Sequence, residues 1–251
     1  IMNTNSQAWA APGKDSAFPA TRWSMVLNAG HESSSQAHAA LETLCRAYWY
    51  PIYAFVRRKG QSHHEAEDST QEFLTQLLAS DTIGHARPER GRFRAYLLKS
   101  LQNFLVNEWH RASAAKRGGG VMTVSLQFDA AEERFALDPA DPGLTPEQAF
   151  DRAWAHGLIN HVVDELRAEY RQSGRGALFE GLGARIWSAA NLEPSEQVAA
   201  RLGLSVQAFD VALHRLRRRV GERLRAHVVQ TVGTAAEVEN ELRHLVAALQ
   251  N

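Results

Sequence analysis

One cysteine among 251 residues excludes an internal disulfide framework. Cys45 falls on the apolar side of a helical pattern, so it reads as a buried thiol and not as half of a nucleophile pair. No apolar run approaches the ~20 residues that a membrane span needs, and the start has no basic-then-apolar leader pattern. The expected location is therefore the cytoplasm, with no membrane partner. Alternating strand-like patterning of any length is missing from the first half, and no segment repeats at a fixed period. Net charge is also missing: 28 Lys and Arg balance 28 Asp and Glu, so the molecule as a whole casts no basic field. Catalytic constellations are equally scarce. His63, His64 and His110 do not stand at metal-ligand spacing with other ligands. The triple glycine at 118–120 lacks the Lys-Ser/Thr of a phosphate loop. Glu67 and Asp68 are sequence neighbours and do not share a helix face. The sequence thus predicts no enzyme, no cofactor and no metal.

What is present is charge sorted into blocks. Residues 87–117 carry eight Lys/Arg against two acids, and 201–225 carry seven against two. Residues 62–82 hold five acids and no Lys/Arg, and 129–151 hold seven acids against one Arg. Two basic blocks alternating with two acidic ones suggest two nucleic-acid surfaces and at least one contact of another kind.

The periodicity predicts an all-α chain: two helical domains joined by a flexible acidic linker, the second containing a helix-turn-helix. Residues 1–18 are small and polar and read as a disordered tail. The first domain spans 19–117. Thr21 can cap a short helix bearing Trp23, Val26 and Leu27, and 33–36 is a polar break. Leu41, Leu44, Cys45, Tyr48, Ile52, Phe55 and Val56 then follow at helical spacing, with Pro51 expected to kink or interrupt the helix and Gly60 to end it. Ser62 starts a second helix with Thr70, Phe73, Leu74, Leu77 and Leu78 inward. Gly91 opens a third, with Phe93, Leu97, Leu101, Phe104 and Leu105 inward. The linker, 118–146, is rich in Asp, Pro and Gly. Thr145, Pro146 and Gln148 resemble a capping box with proline at the first helical position. They open the second domain, 147–229, where Phe150, Trp154, Leu158, Val162, Leu166 and Tyr170 step by four. A short helix over 178–190 precedes a shorter one ending at Gly203. Ser205 then caps a basic helix with Phe209, Leu213, Leu216, Val220 and Leu224 on one face. Small Ala199 with Gly203 four residues on is the spacing a helix-turn-helix needs. A C-terminal extension, 230–251, carries Val238, Leu242, Leu245, Val246 and Leu249.

Three stretches carry a family resemblance. Ala66-Glu67-Asp68-Ser69-Thr70-Gln71-Glu72-Phe73 is close to an AEDxxQExF signature. Phe93-Arg94-Ala95-Tyr96-Leu97, with Asn103 and Arg111 beyond it, is similar to a Phe-x-x-aromatic-Leu pattern with its later Asn and Arg. The third stretch is Val198-Ala199-Ala200-Arg201-Leu202-Gly203-Leu204-Ser205, together with His214-Arg215-Leu216-Arg217. In this order and at this spacing the chain resembles minimal bacterial RNA polymerase sigma factors of the extracytoplasmic-function type. The resemblance covers roughly 40–117 and 146–229. Arg22-Trp23-Ser24, Tyr48-Trp49-Tyr50-Pro51 and the C-terminal extension look like a planctomycete-like subgroup.

The resemblance implies roles residue by residue. Asp68, Gln71, Glu72, Phe73 and Leu77 would bind core polymerase at the clamp helices of its largest subunit, with Phe73 and Leu77 at the rim. A second contact would be made with the flap region. Arg92, Arg94, Tyr96, Lys99, Asn103, Asn107, Trp109 and Arg111 would hold the melting element of the promoter. The Arg and Lys side chains would meet phosphates; Tyr96 and Trp109 would stack on opened bases. Core packing is the other reading of Tyr96, since it shares the face of Phe93 and Leu97. Ser205, Gln207, Asp210, His214, Arg215, Arg218 and Arg219 would meet the upstream element. Here the chain departs from the family: residues 206–212 contain no Lys or Arg, and Asp210 stands near a position where relatives carry a basic residue. An acid there repels phosphate, though it can accept from a cytosine amine. Gln207 and His214 remain as readers, and the arginines further along would hold the backbone. An anti-sigma or other regulatory protein is a further partner consistent with the pattern, and the acidic 129–151 stretch could fold back over the basic 92–117 face. Two rivals stay open: a helix-turn-helix regulator acting without polymerase, and a sigma-like adaptor with weak DNA readout.

Overall fold

The structure, a computed structural model, describes residues 35–79, 92–112, 135, 143–187, 193–232 and 234–250. Among these it is all-helical, with eight helices and no strand. No helix among them is long and apolar enough to cross a membrane. The helix expected near Trp23, the tail and most of the 118–146 segment lie outside the described residues. Contacts divide the chain into two compact units, one within Phe18–Leu158 plus Ala226–Asn251, the other within Ile159–Arg225. The divisions fall inside two long helices, and not in the Asp/Pro/Gly-rich segment.

In the first unit α1 (Ser35–Arg58) buries Leu44, Cys45, Tyr48, Ile52, Tyr53, Phe55 and Val56. Pro51 does not interrupt it and lies within the helix. Tyr50, Ile52 and Tyr53 around it are all buried, and that packing offsets the backbone hydrogen bond a proline removes. Gly60, at φ 95°, ends α1, and its N–H donates to Arg57 O at 3.0 Å. Ser62 and Glu65 then form a reciprocal cap: Ser62 N–H donates to Glu65 Oε2 at 2.8 Å, and Glu65 N–H faces Ser62 Oγ at 3.4 Å. This opens α2 (His63–Ala79), which packs on α1 and on α3 (Phe93–Ala112). Phe73 meets Phe104 at 5.5 Å between ring centres, and Tyr48 meets Phe93 at 5.6 Å.

The predicted capping box at Thr145 is present. Thr145 N–H donates to Gln148 Oε1 at 2.8 Å, and Gln148 N–H to Thr145 Oγ1 at 3.2 Å. It starts α4 (Pro146–Gln172), whose first turns bring Phe150 against Tyr48. The C-terminal helix, α8 (Ala235–Gln250), buries Val238 and Leu245 and, between them, Glu241 at 1 % exposure.

In the second unit the end of α4 turns at Gly174, φ 71°, into α5 (Gly176–Gly183). That helix stops earlier than the 178–190 expected. Next come α6 (Ser195–Arg201) and α7 (Val206–Val229). Val162, Leu166, Tyr170, Phe179, Leu182, Val198, Ala199, Phe209, Leu213, Leu216 and Val220 form the core. Gly203 makes the turn at φ 67°, while Leu204 N–H reaches back to Ala199 O at 2.9 Å. A close approach unforeseen in the sequence lies at Gly181: a Cβ there would sit 2.8 Å from Leu202 Cδ1. Glycine at 181 therefore sets how near α5 comes to α6.

Candidate functional site

On α2 the helical period separates two kinds of side chain. Asp68, Gln71 and Glu72 are exposed. Phe73 and Leu77, expected at the rim, are 4 % and 5 % exposed: they belong to the face that packs on α1 and α3. The surface that α2 offers a partner is polar and acidic, without an apolar rim from these two residues.

On α3 the expected set of contact residues splits. Lys99, Asn103 and Asn107 recur every four residues and are exposed, with Ala95 and Val106 beside them. Tyr96 is half-buried, its ring 6.3 Å from that of Phe93. Arg94 departs from expectation. It is buried, with its guanidinium held by both carboxylate oxygens of Glu241 at 2.7 and 3.0 Å and by Asp151. It also lies 4.9 Å over the Trp154 ring. Arg92 Nε meets Glu241 Oε2 at 2.8 Å. A guanidinium bound on two sides by carboxylates has its charge neutralised inside the fold and is not presented to phosphate. Asp151 and Glu241 come from α4 and α8, so Glu241, absent from the sequence reading, is the residue that joins the C-terminal helix to α3. Its signal was an acid on the apolar stripe, three residues after Val238 and four before Leu245. Trp109 and Arg111 lie on α3, but their side chains fall outside the described residues.

On α7 the N-terminus is capped by Ser205, whose Oγ accepts from Ala208 N–H at 3.1 Å. Gln207, Asp210, Val211, His214, Arg215 and Arg218 are all exposed, and their 3-4 spacing lays them along one stripe. The remaining arginines have structural partners. Arg217 donates to the carbonyls of Arg185 and Ile186 at 2.7 and 3.0 Å, closing the end of the α5 segment. Arg219, expected on DNA, pairs with Glu169 of α4, as does Arg223. Arg218 pairs with Glu222 one turn on at 2.8 Å. Arg217, Arg219 and Arg223 thus brace α7 against its neighbours, while Arg215 and Arg218 stay at the surface.

A third grouping lies at the start of α2. His63 Nε2 is 3.4 Å from Glu67 Oε1, and His64 Nδ1 is 3.3 Å from Glu67 Oε2. The Tyr53 hydroxyl meets His63 Nδ1 at 2.7 Å. The expectation that His63 and His64 lack other ligands at metal-ligand spacing does not hold for Glu67, four and three residues further along the helix. No protein-family model matches the chain, and the comparisons with curated proteins and with solved structures return no match either.

Proposed function

We propose that the chain is a sigma-type transcription initiation factor, which binds the core of a bacterial RNA polymerase and directs it to promoter DNA. The observation that carries this reading is the face of α2. Asp68, Gln71 and Glu72 of the AEDSTQEF stretch stand at the surface, while Ala66, Thr70 and Phe73 are buried. Such a face suits an Arg-rich partner, where charge complementarity sets orientation and on-rate. The α6–Gly203–α7 arrangement supports a helix-turn-helix reading, with Gln207, Asp210, His214 and Arg215 facing the upstream element. Among the described residues of α3, Lys99, Asn103 and Asn107 are exposed toward the melted strand. The factor works through binding energy, with no chemistry of its own.

The adaptor reading is favoured by one specific observation: Arg92 and Arg94 are engaged by Glu241 and Asp151, which thins the DNA-facing charge. In vitro transcription tests the choice. Core polymerase supplied with the chain should initiate at discrete positions on DNA fragments from the source genome. Co-elution with core but no discrete transcript from the mixture would point to the adaptor, and a shift of those fragments by the chain alone, again without such transcripts, to a regulator acting without polymerase.

A further inference from the structure

We propose that His63, His64 and Glu67 form a three-ligand site for a zinc-class divalent cation at the first turn of α2, independently of any role in transcription. The ligand atoms of the three residues lie within 4.8 Å of one another. In a tetrahedral site with metal–ligand bonds of ~2.1 Å, neighbouring ligand atoms are about 3.4 Å apart. His63 Nε2 stands 3.4 Å from Glu67 Oε1 and His64 Nδ1 3.3 Å from Glu67 Oε2, so each imidazole is at ligand spacing from one oxygen of the shared carboxylate, on a single turn of α2.

The donor set selects the metal. Two imidazoles and one carboxylate suit zinc and its late first-row neighbours, and not calcium or magnesium, which take oxygen ligands. Cys45 is buried and contributes no thiolate. Tyr53 supplies the outer support such sites use. With metal on His63 Nε2 the ring proton sits on Nδ1 and is donated to the Tyr53 oxygen, across the 2.7 Å contact already present. Tyr53 is fully buried, so it fixes the orientation of that ring. Three protein ligands leave a fourth position to water or to a group from a partner.

The test is titration of the untagged full chain with Co2+, read by the visible absorbance of a tetrahedral cobalt centre, followed by displacement with Zn2+. One equivalent should bind saturably. His64→Ala and Glu67→Gln should each weaken binding by ~10-fold or more, and Tyr53→Phe, which keeps the ring volume, by ~10–100-fold. His214→Ala, on α7, should bind like the wild type. The His64 side chain is 89 % exposed, so its removal disturbs no packing, and an unchanged far-ultraviolet dichroism spectrum verifies the fold. Absence of cobalt binding by the wild type at micromolar metal would overturn the site. So would wild-type affinity in both His64→Ala and Glu67→Gln.

Discussion

Cys45 shows how far burial alone changes a residue's chemistry. Removal from water, reinforced by nearby Glu42, pushes its thiol pKa from 9.0 up to about 12. In the native protein it should be inert toward a disulfide reagent at pH 8 and should react fully once denaturant unfolds the chain. Native-state labelling at the rate of a free thiol would contradict the placement. The sign of the linkage follows. The unfolded chain releases this proton near pH 9, earlier than the folded one. The contribution is therefore intact below that pH and is lost as pH rises toward 12. Arg94 is the opposite case, a charge retained by its partners. Glu241→Ala leaves the buried guanidinium with Asp151 alone and should cost about 3–5 kcal/mol, measured by denaturant unfolding. A loss below ~1 kcal/mol, the range of exposed pairs, would show the pair to be solvated.

Helices and their caps were legible from the residues, because each rests on local rules. The Thr145–Gln148 box, the Ser62 and Ser205 starts, Gly60 and Gly203 all stand where spacing and capping place them. The four-residue steps of α4 and α7 pick out their buried faces. What stayed illegible was long-range pairing. Nothing local says that Glu241 meets an arginine 147 residues earlier, or that Arg219 turns to Glu169 and away from solvent. Phe73 and Leu77 were placed at a rim because motif and periodicity point to the same residues, and only packing decides between contact and core. Two element-scale outcomes follow. A Cβ on Gly203 meets nothing within 4 Å, so Gly203→Ala carries backbone strain alone, roughly 1–2 kcal/mol by thermal unfolding. Asp210 is exposed on α7. If that stripe faces phosphate, Asp210→Arg should tighten DNA binding and steepen its salt dependence by about one unit of slope. An unchanged titration would remove α7 from the groove.

For the whole molecule, balanced charge conceals a strong internal division of labour. Part of the basic excess is consumed within each unit: Arg92 and Arg94 by Glu241 and Asp151 in one, Arg219 and Arg223 by Glu169 in the other. Asp151 and Glu147, at the end of the acidic 129–151 stretch, thus meet the basic α3 helix at Arg94 and Gln102. Asp68 and Glu72 of α2 stand exposed at the surface, and the sigma-type reading rests on their charge. Gel filtration with bacterial core RNA polymerase tests that claim most directly, using the wild type and the surface variant Asp68→Ala with Glu72→Ala, which leaves Phe73 and Leu77 in the core. The account predicts that the wild type co-elutes with core and that the variant, still folded, does not. Failure of the wild type to co-elute, or equal co-elution of the variant, would contradict it.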